Sequence, residues 1–329
     1  MPTPTTLQLF AKPALSYAEQ VQRLQSNGMA IDDVPSAIEK LSTISYYRLS
    51  GYWHPLRQRD VSGRVHDAFE LGVTFADAIQ LYEFDQQLRA LVLTAIERIE
   101  IAVRTQLTYH LAHSYGALGY ADATNFHPQF NHSDWLSKLT DEVTRSKDIF
   151  LIHYKNKYQN YPYVPIWMLT EVMSLGSLSH GYKGLRNDQK QGIEDKKAIA
   201  SFFDLHHKRL EEWLHTFTYI RNICAHHSRL WNRELAIRPD QTKEPAWRAP
   251  ITPRNDRIFY VLLMIRHMLG CIGGANEWTA QINALLEPVC QSKRWQAAMG
   301  IPPNWLEHPL WLPDDKTCNN LCQSSTKTR

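Results

Sequence analysis

Between Thr74 and Gly116 the chain runs for about forty residues without a glycine or a proline. Nothing in that stretch breaks a helix. Thr74, followed three residues later by Asp77, has the spacing of a cap that satisfies the orphan backbone donors of a helix start. Leu81, Phe84, Leu88, Leu91, Val92, Ala95, Ile99 and Val103 recur at three and four, which makes one face apolar. At 1.5 Å per residue such a helix is ~60 Å long, about twice the width of a small domain. The remaining elements must pack along it, so the expected fold is all-α with one very long central helix. Asp85 lies inside the apolar stripe, four residues before Arg89, while Glu97, Glu100 and Arg104 gather on one flank where they can touch.

The other elements follow from caps and breakers. Ser16 and Glu19 have capping-box spacing ahead of a helix that stops by Gly28. A second helix covers Val34 to Leu41 and is expected to run on into the aromatic segment Ser45 to Trp53. From His54 to Thr74 the pattern breaks, with Val61-Ser62-Gly63-Arg64 at the tip of a small hairpin or extended loop. Residues 117–135 read as a connecting loop. Further helices are expected over Trp135–Tyr158, over Ile166–Tyr182 (weakened near its end by Gly176 and Gly181), and over Leu210–Ile220, Arg254–Cys271 and Thr279–Val289. Lys183 to Lys197 reads as a charged turn, and the polar tail after Trp311 reads as disordered. The expected organisation is an N-terminal helical segment with loop or hairpin (1–73), a helical core (74–275), and a C-terminal helix with polar tail (276–329).

Composition narrows the function classes. With 43% hydrophobic and 21% charged residues the chain is of globular type. A net charge of +3 excludes a strongly basic nucleic-acid coat but allows a local positive cleft. The start lacks a basic then apolar signal, and the longest apolar run, Ile258 to Ile265, is too short to cross a bilayer. A cytoplasmic protein that does not engage a membrane is expected. The five cysteines, at 224, 271, 290, 318 and 322, form no framework, and Cys318 and Cys322 have no partner pair. His206, His207 and His227 lack carboxylates at ligand spacing, so neither metal nor cofactor is expected.

The segment with the densest chemistry is Arg221-Asn222-Ile223-Cys224-Ala225-His226-His227-Ser228-Arg229-Leu230-Trp231-Asn232-Arg233. It follows an amphipathic run in which Leu210, Trp213, Leu214, Phe217, Ile220 and Cys224 share a face. On an ideal helix Arg221 falls only about 20° from Leu210, inside the apolar stripe, and His226 about 140° from Arg221. A guanidinium so placed is either paired or lines a cleft for a negative ligand. The structural alternative makes Arg221 a buried partner of Asp85, Glu97 or Glu100, and His226 a C-terminal histidine that favours the helix dipole. Spacing alone favours that alternative. Glu97, Glu100 and Arg104 likewise read first as a salt network, and Glu171 as structural. The functional reading is RNA cleavage without a metal. A base takes the proton of the ribose 2′-hydroxyl, an acid protonates the leaving 5′-oxygen, and a cation faces the phosphorane charge. Histidine can fill either proton role, arginine grips phosphate in bidentate fashion, and Asn222 can orient phosphate or imidazole.

Several segments resemble the Abi-like (AbiD and AbiF type) family of bacterial abortive-infection proteins. They are Lys12 to Tyr17, Ile44 to Trp53, Leu81 to Asp85, Ala95 to Glu100 with Arg104-Thr105, Pro165 to Trp167 with Glu171, Arg221 to Arg233, and Met299 to Trp305 before Pro309 to Trp311. Tyr46-Tyr47-Arg48-Leu49-Ser50-Gly51-Tyr52 and Arg221 to His227 are the most specific. The resemblance implies the HEPN superfamily, a helical bundle that commonly forms dimers and in many members cleaves RNA through an Arg-x4-6-His motif. Here that motif maps onto Arg221 and His226, with Asn222 as the polar neighbour. It implies an endoribonuclease acting in phage resistance by abortive infection, as a homodimer, with RNA as substrate and a small non-coding RNA as a further partner. Glu100, Arg104 and His227 are supporting candidates, and Arg48, Lys183, Arg229 and Arg233 are candidate RNA-backbone contacts. The alternative is a non-catalytic RNA-binding or phage-sensing module of the same defence.

Overall fold

The structure, a computed structural model, describes residues 11, 13–188, 192, 194–242, 244–248 and 252–312. The fold is mostly α. In chain order the elements are α1 (Tyr17–Ser26), α2 (Val34–Ile44), α3 (Tyr46–Trp53), β1 (Arg57–Arg59), β2 (Val65–Phe69), α4 (Phe75–Tyr115), α5 (His132–Arg145), α6 (Ile149–Lys157) and α7 (Ile166–Val172). Then come α8 (Leu175–Gly184), α9 (Asp195–Phe202), α10 (His207–Ala225), α11 (Pro245–Arg248), α12 (Ile258–Ile272), α13 (Ala275–Cys290) and α14 (Lys293–Met299). The chain forms two compact units, Met1–Gln86 and Gln87–Arg329.

In the first unit, Ser16 and Glu19 form the expected capping box: the Ser16 hydroxyl accepts the Glu19 N–H at 3.3 Å, and the Glu19 carboxylate accepts the Ser16 N–H at 2.7 Å. Leu24, Leu41, Leu49 and Trp53 form its core. The hairpin is real: β1 and β2 pair antiparallel, Arg57 opposite Phe69 and Arg59 opposite Val65. The expected run of α2 into the aromatic segment does not occur. Ser45 takes φ 73° and accepts the Arg48 N–H at 3.3 Å, ending one helix and capping the next. The polar residue in the long apolar stripe also has its reason here. Asp85 is fully buried and accepts the Tyr52 hydroxyl at 2.8 Å.

α4 spans 41 residues. The Thr74 hydroxyl accepts the Asp77 N–H at 3.1 Å, and the Asp77 carboxylate accepts the Thr74 N–H at 2.8 Å, so two of the four orphan donors are met from the side chains. Gly116, at φ 77°, ends the helix. Of its predicted stripe only Leu91 is half-exposed; its carbonyl accepts the Trp278 indole N–H at 3.0 Å.

In the second unit α12 is buried almost all round, including every residue from Ile258 to Ile265. Among the described residues no helix is long and apolar enough to cross a membrane. Two expected helices are each broken in two. Residues 135–158 divide at Ser146, whose hydroxyl bonds Asp148 at 2.5 Å. Residues 166–182 divide at Ser174, which caps α8 by accepting the Ser177 N–H at 3.2 Å. α5 begins at His132, earlier than expected, and the connection before it contains two short 3-10 turns. Gly181, read as a weak point, instead allows close packing, because a Cβ there would lie 2.5 Å from Trp135 Cζ2. α12 starts later than expected, α9, α11 and α14 were not anticipated, α9 taking up the end of the expected charged turn from Asp195, and the tail from 313 lies outside the described residues.

Candidate functional site

The site is built on the end of α10. Leu210, Trp213, Leu214, Thr216, Phe217, Ile220, Ile223 and Cys224 are its buried residues. The buried face turns as the helix proceeds. Over the last turns it is carried by Ile220, Ile223 and Cys224, and its middle lies about 100° from Arg221. Arg221 and Asn222 are therefore exposed, which corrects the placement of Arg221 within the apolar stripe. The alternative of a sealed ion pair does not hold for an exposed guanidinium. Its Nη1 donates to Asn222 Oδ1 at 3.4 Å, so the cation and the amide stand side by side at the surface.

The helix then closes on two histidines. His226, the C-terminal cap residue, donates its N–H to the Asn222 carbonyl at 3.0 Å. His227 donates to the Cys224 carbonyl at 3.0 Å and Ser228 to the Ile223 carbonyl at 2.9 Å, the paired bonds of a Schellman closure. That closure needs a left-handed residue, and His227 fills it at φ 56°. Both imidazoles are exposed. Beyond them, Leu230 and Trp231 are buried and pin the segment to the core. Arg257 Nη1 donates to the Asn232 carbonyl at 2.9 Å, and Arg233 Nε to the Arg229 carbonyl at 2.7 Å. The end of α10 is thus a fixed platform carrying Arg221, Asn222, His226 and His227, with Arg229 and Arg233 half-exposed just after it.

The other sequence-selected residues have local duties. Arg104 donates to the carbonyls of Thr170 and Met173, the latter at 2.6 Å, and to Glu100 Oε1. Arg104, held by the Glu100 carboxylate, thus satisfies carbonyls at the C-terminal end of α7. Among the described residues neither has a bond to the end of α10. Glu97 and Glu171 are exposed. Lys183 is an exposed residue of α8, 3.9 Å from Glu211. Arg48 is exposed on α3, in the first unit. His206 caps α10, its ring accepting the Lys208 N–H at 3.4 Å. Among the described residues no three His, Cys, Asp or Glu side chains group as metal ligands, and Cys318 and Cys322 lie outside them.

A model of the Abi-like protein family matches residues 39–232, well over half of the chain and all of the α10 end as far as Asn232. The chain belongs to the Abi-like family. No curated protein and no solved structure matches it. The Abi-like match takes in every segment of resemblance from Ile44 to Asn232; Lys12 to Tyr17 and Met299 to Trp311 lie outside it. Membership links this Abi-like protein to abortive infection, the phage defence for which the family is named. Sequence reasoning passed over His180, Glu211 and His215, which line an open cavity between α8 and α10. Their signal was helical register: Glu211, His215 and Asn222 follow one another at intervals of four and seven.

Proposed function

We propose that this Abi-like protein is a metal-independent endoribonuclease of the HEPN type, with Arg221 and His226 as its reacting pair and Asn222 beside them. The observation that supports this reading is the exposure of Arg221 and His226 together at the end of α10, the guanidinium unsealed and five residues before the imidazole. Arg221 faces the charge that builds on the phosphorane oxygens, where a cation adds most in the transition state. His226 moves a proton. The 2′-oxygen loses its proton and attacks phosphorus, the bond from phosphorus to the 5′-oxygen breaks, and the 5′-oxygen is protonated. One imidazole cannot do both jobs in a single concerted step. A two-fold dimer that apposes two α10 ends supplies the second.

The test is turnover set against binding. In a chelator, His226→Ala is expected to lose about 10²–10⁴ in cleavage rate while binding RNA as wild type does. RNA that stays intact with both proteins would favour a binding or sensing module.

A further inference from the structure

α8 and α10 pack against each other, and between them lies an open cavity of about 350 Å³. Gly176, His180 and Lys183 line it from α8, and Glu211, His215 and Thr218 from α10. At ~100° per residue, Glu211, His215, Thr218 and Asn222 fall within about 60° of one another. The α10 wall of the cavity therefore leads along one helix face to Asn222, whose carbonyl holds the N–H of His226. From Thr218 to Asn222 is one turn, about 6 Å along the axis.

The lining sorts what can enter. Glu211 is anchored by the buried ammonium of Lys196 at 2.9 Å, and Lys183 approaches it from the rim at 3.9 Å. A carboxylate keeps acceptor positions after such a bond, so this wall receives N–H donors. His180 sits near Lys138 and Lys183, and the partial desolvation of its ring, reinforced by these two charges, holds its imidazole below the ordinary histidine value. A neutral ring can both donate and accept, and it offers a face for stacking. Gly176 leaves the floor open: a Cβ there would meet Thr218 Cγ2 at 3.6 Å, ordinary contact, whereas a longer side chain would project into the space. Lys183, exposed at the rim, suits a backbone phosphate passing outside.

We propose that this cavity binds the base of a single-stranded RNA nucleotide adjacent to the phosphate held at Arg221 and His226. It rests on the RNA reading above. A duplex hides its base edges, so the occupant is an unpaired nucleotide with its base turned inward and its phosphate toward Lys183.

The experiment measures binding of the full chain to a short 2′-O-methyl RNA, which cannot be cleaved by 2′-oxygen attack, by fluorescence anisotropy. Gly176→Leu fills the cavity and His215→Ala strips its wall; each is expected to raise Kd by about tenfold. Lys208→Ala, an exposed lysine elsewhere on α10, controls for lost charge and is expected to stay within about twofold. Thermal melting shows whether Gly176→Leu folds, and His215→Ala decides the matter alone if it does not. Unchanged Kd in folded cavity variants overturns the proposal, even where His226→Ala abolishes cleavage and the catalytic reading stands. Weakened binding in the cavity variants upholds it, even where His226→Ala cleaves as wild type and the catalytic reading falls. A wild type that binds no RNA overturns both.

Discussion

His227 donates its backbone N–H to the carbonyl of Cys224 at 3.0 Å, and to do so it takes a left-handed φ of 56°. Glycine normally fills that position of a helix closure, because a Cβ there crowds the following carbonyl. Histidine tolerates the conformation better than branched residues, but still at a cost. His227→Gly is therefore expected to raise stability by about 0.5–1 kcal/mol in urea denaturation, and His227→Val to lower it. A less stable glycine variant would show that the imidazole, not the backbone, sets the energetics there.

Arg221 is exposed and makes no buried ion pair among the described residues, so removing it should barely disturb the fold. Arg221→Ala is expected to shift unfolding free energy by no more than about 0.5 kcal/mol, where breaking a buried pair would cost about 3–5 kcal/mol. Cleavage, if the guanidinium faces the phosphorane, should still fall by about 10²–10³. Parallel loss of stability and activity would return Arg221 to a structural role.

The long helix was legible because its signals are local: a Thr74–Asp77 cap, no breaker through Tyr115, and Gly116 at φ 77°. The breaks at Ser45, Ser146 and Ser174 were not, since serine serves equally as a tolerated helix residue or as a cap. Tertiary contact decides between these. Glu142 of α5, for instance, accepts both the Ser174 N–H at 3.3 Å and the Ser177 hydroxyl at 3.0 Å, fixing the start of α8 from another helix. The residue types of the candidate site were readable, but the exposure of Arg221 was not. An ideal wheel carried over eleven residues from Leu210 ignores the turning of the buried face, which only packing reveals. The cavity at Gly176 was hidden for the same reason: it belongs to two helices at once.

Desolvation, complete at His308 and partial at His110, His180 and His207, holds these imidazoles below the ordinary value of 6.5. The unfolded chain restores that value, so below it the unfolded state binds more protons than the folded one. This contribution is fully present above the unfolded pKa and is lost as pH falls through 6.5 and below. The melting temperature is expected to drop between about pH 7.5 and about pH 5.5, less steeply in His110→Asn. A midpoint that stays level or rises on acidification would contradict the assignment of these rings as neutral in the fold.

In the proposed reaction, Arg221 and His226 break RNA by attack of its own 2′-oxygen. Mass spectrometry of the fragments released by purified protein in excess EDTA tests this most directly. The predicted fragments carry a 2′,3′-cyclic phosphate on one side of the cut and a 5′-hydroxyl on the other, and His226→Ala yields neither. Fragments ending in 3′-hydroxyl and 5′-phosphate, or fragments formed equally by His226→Ala, would contradict it.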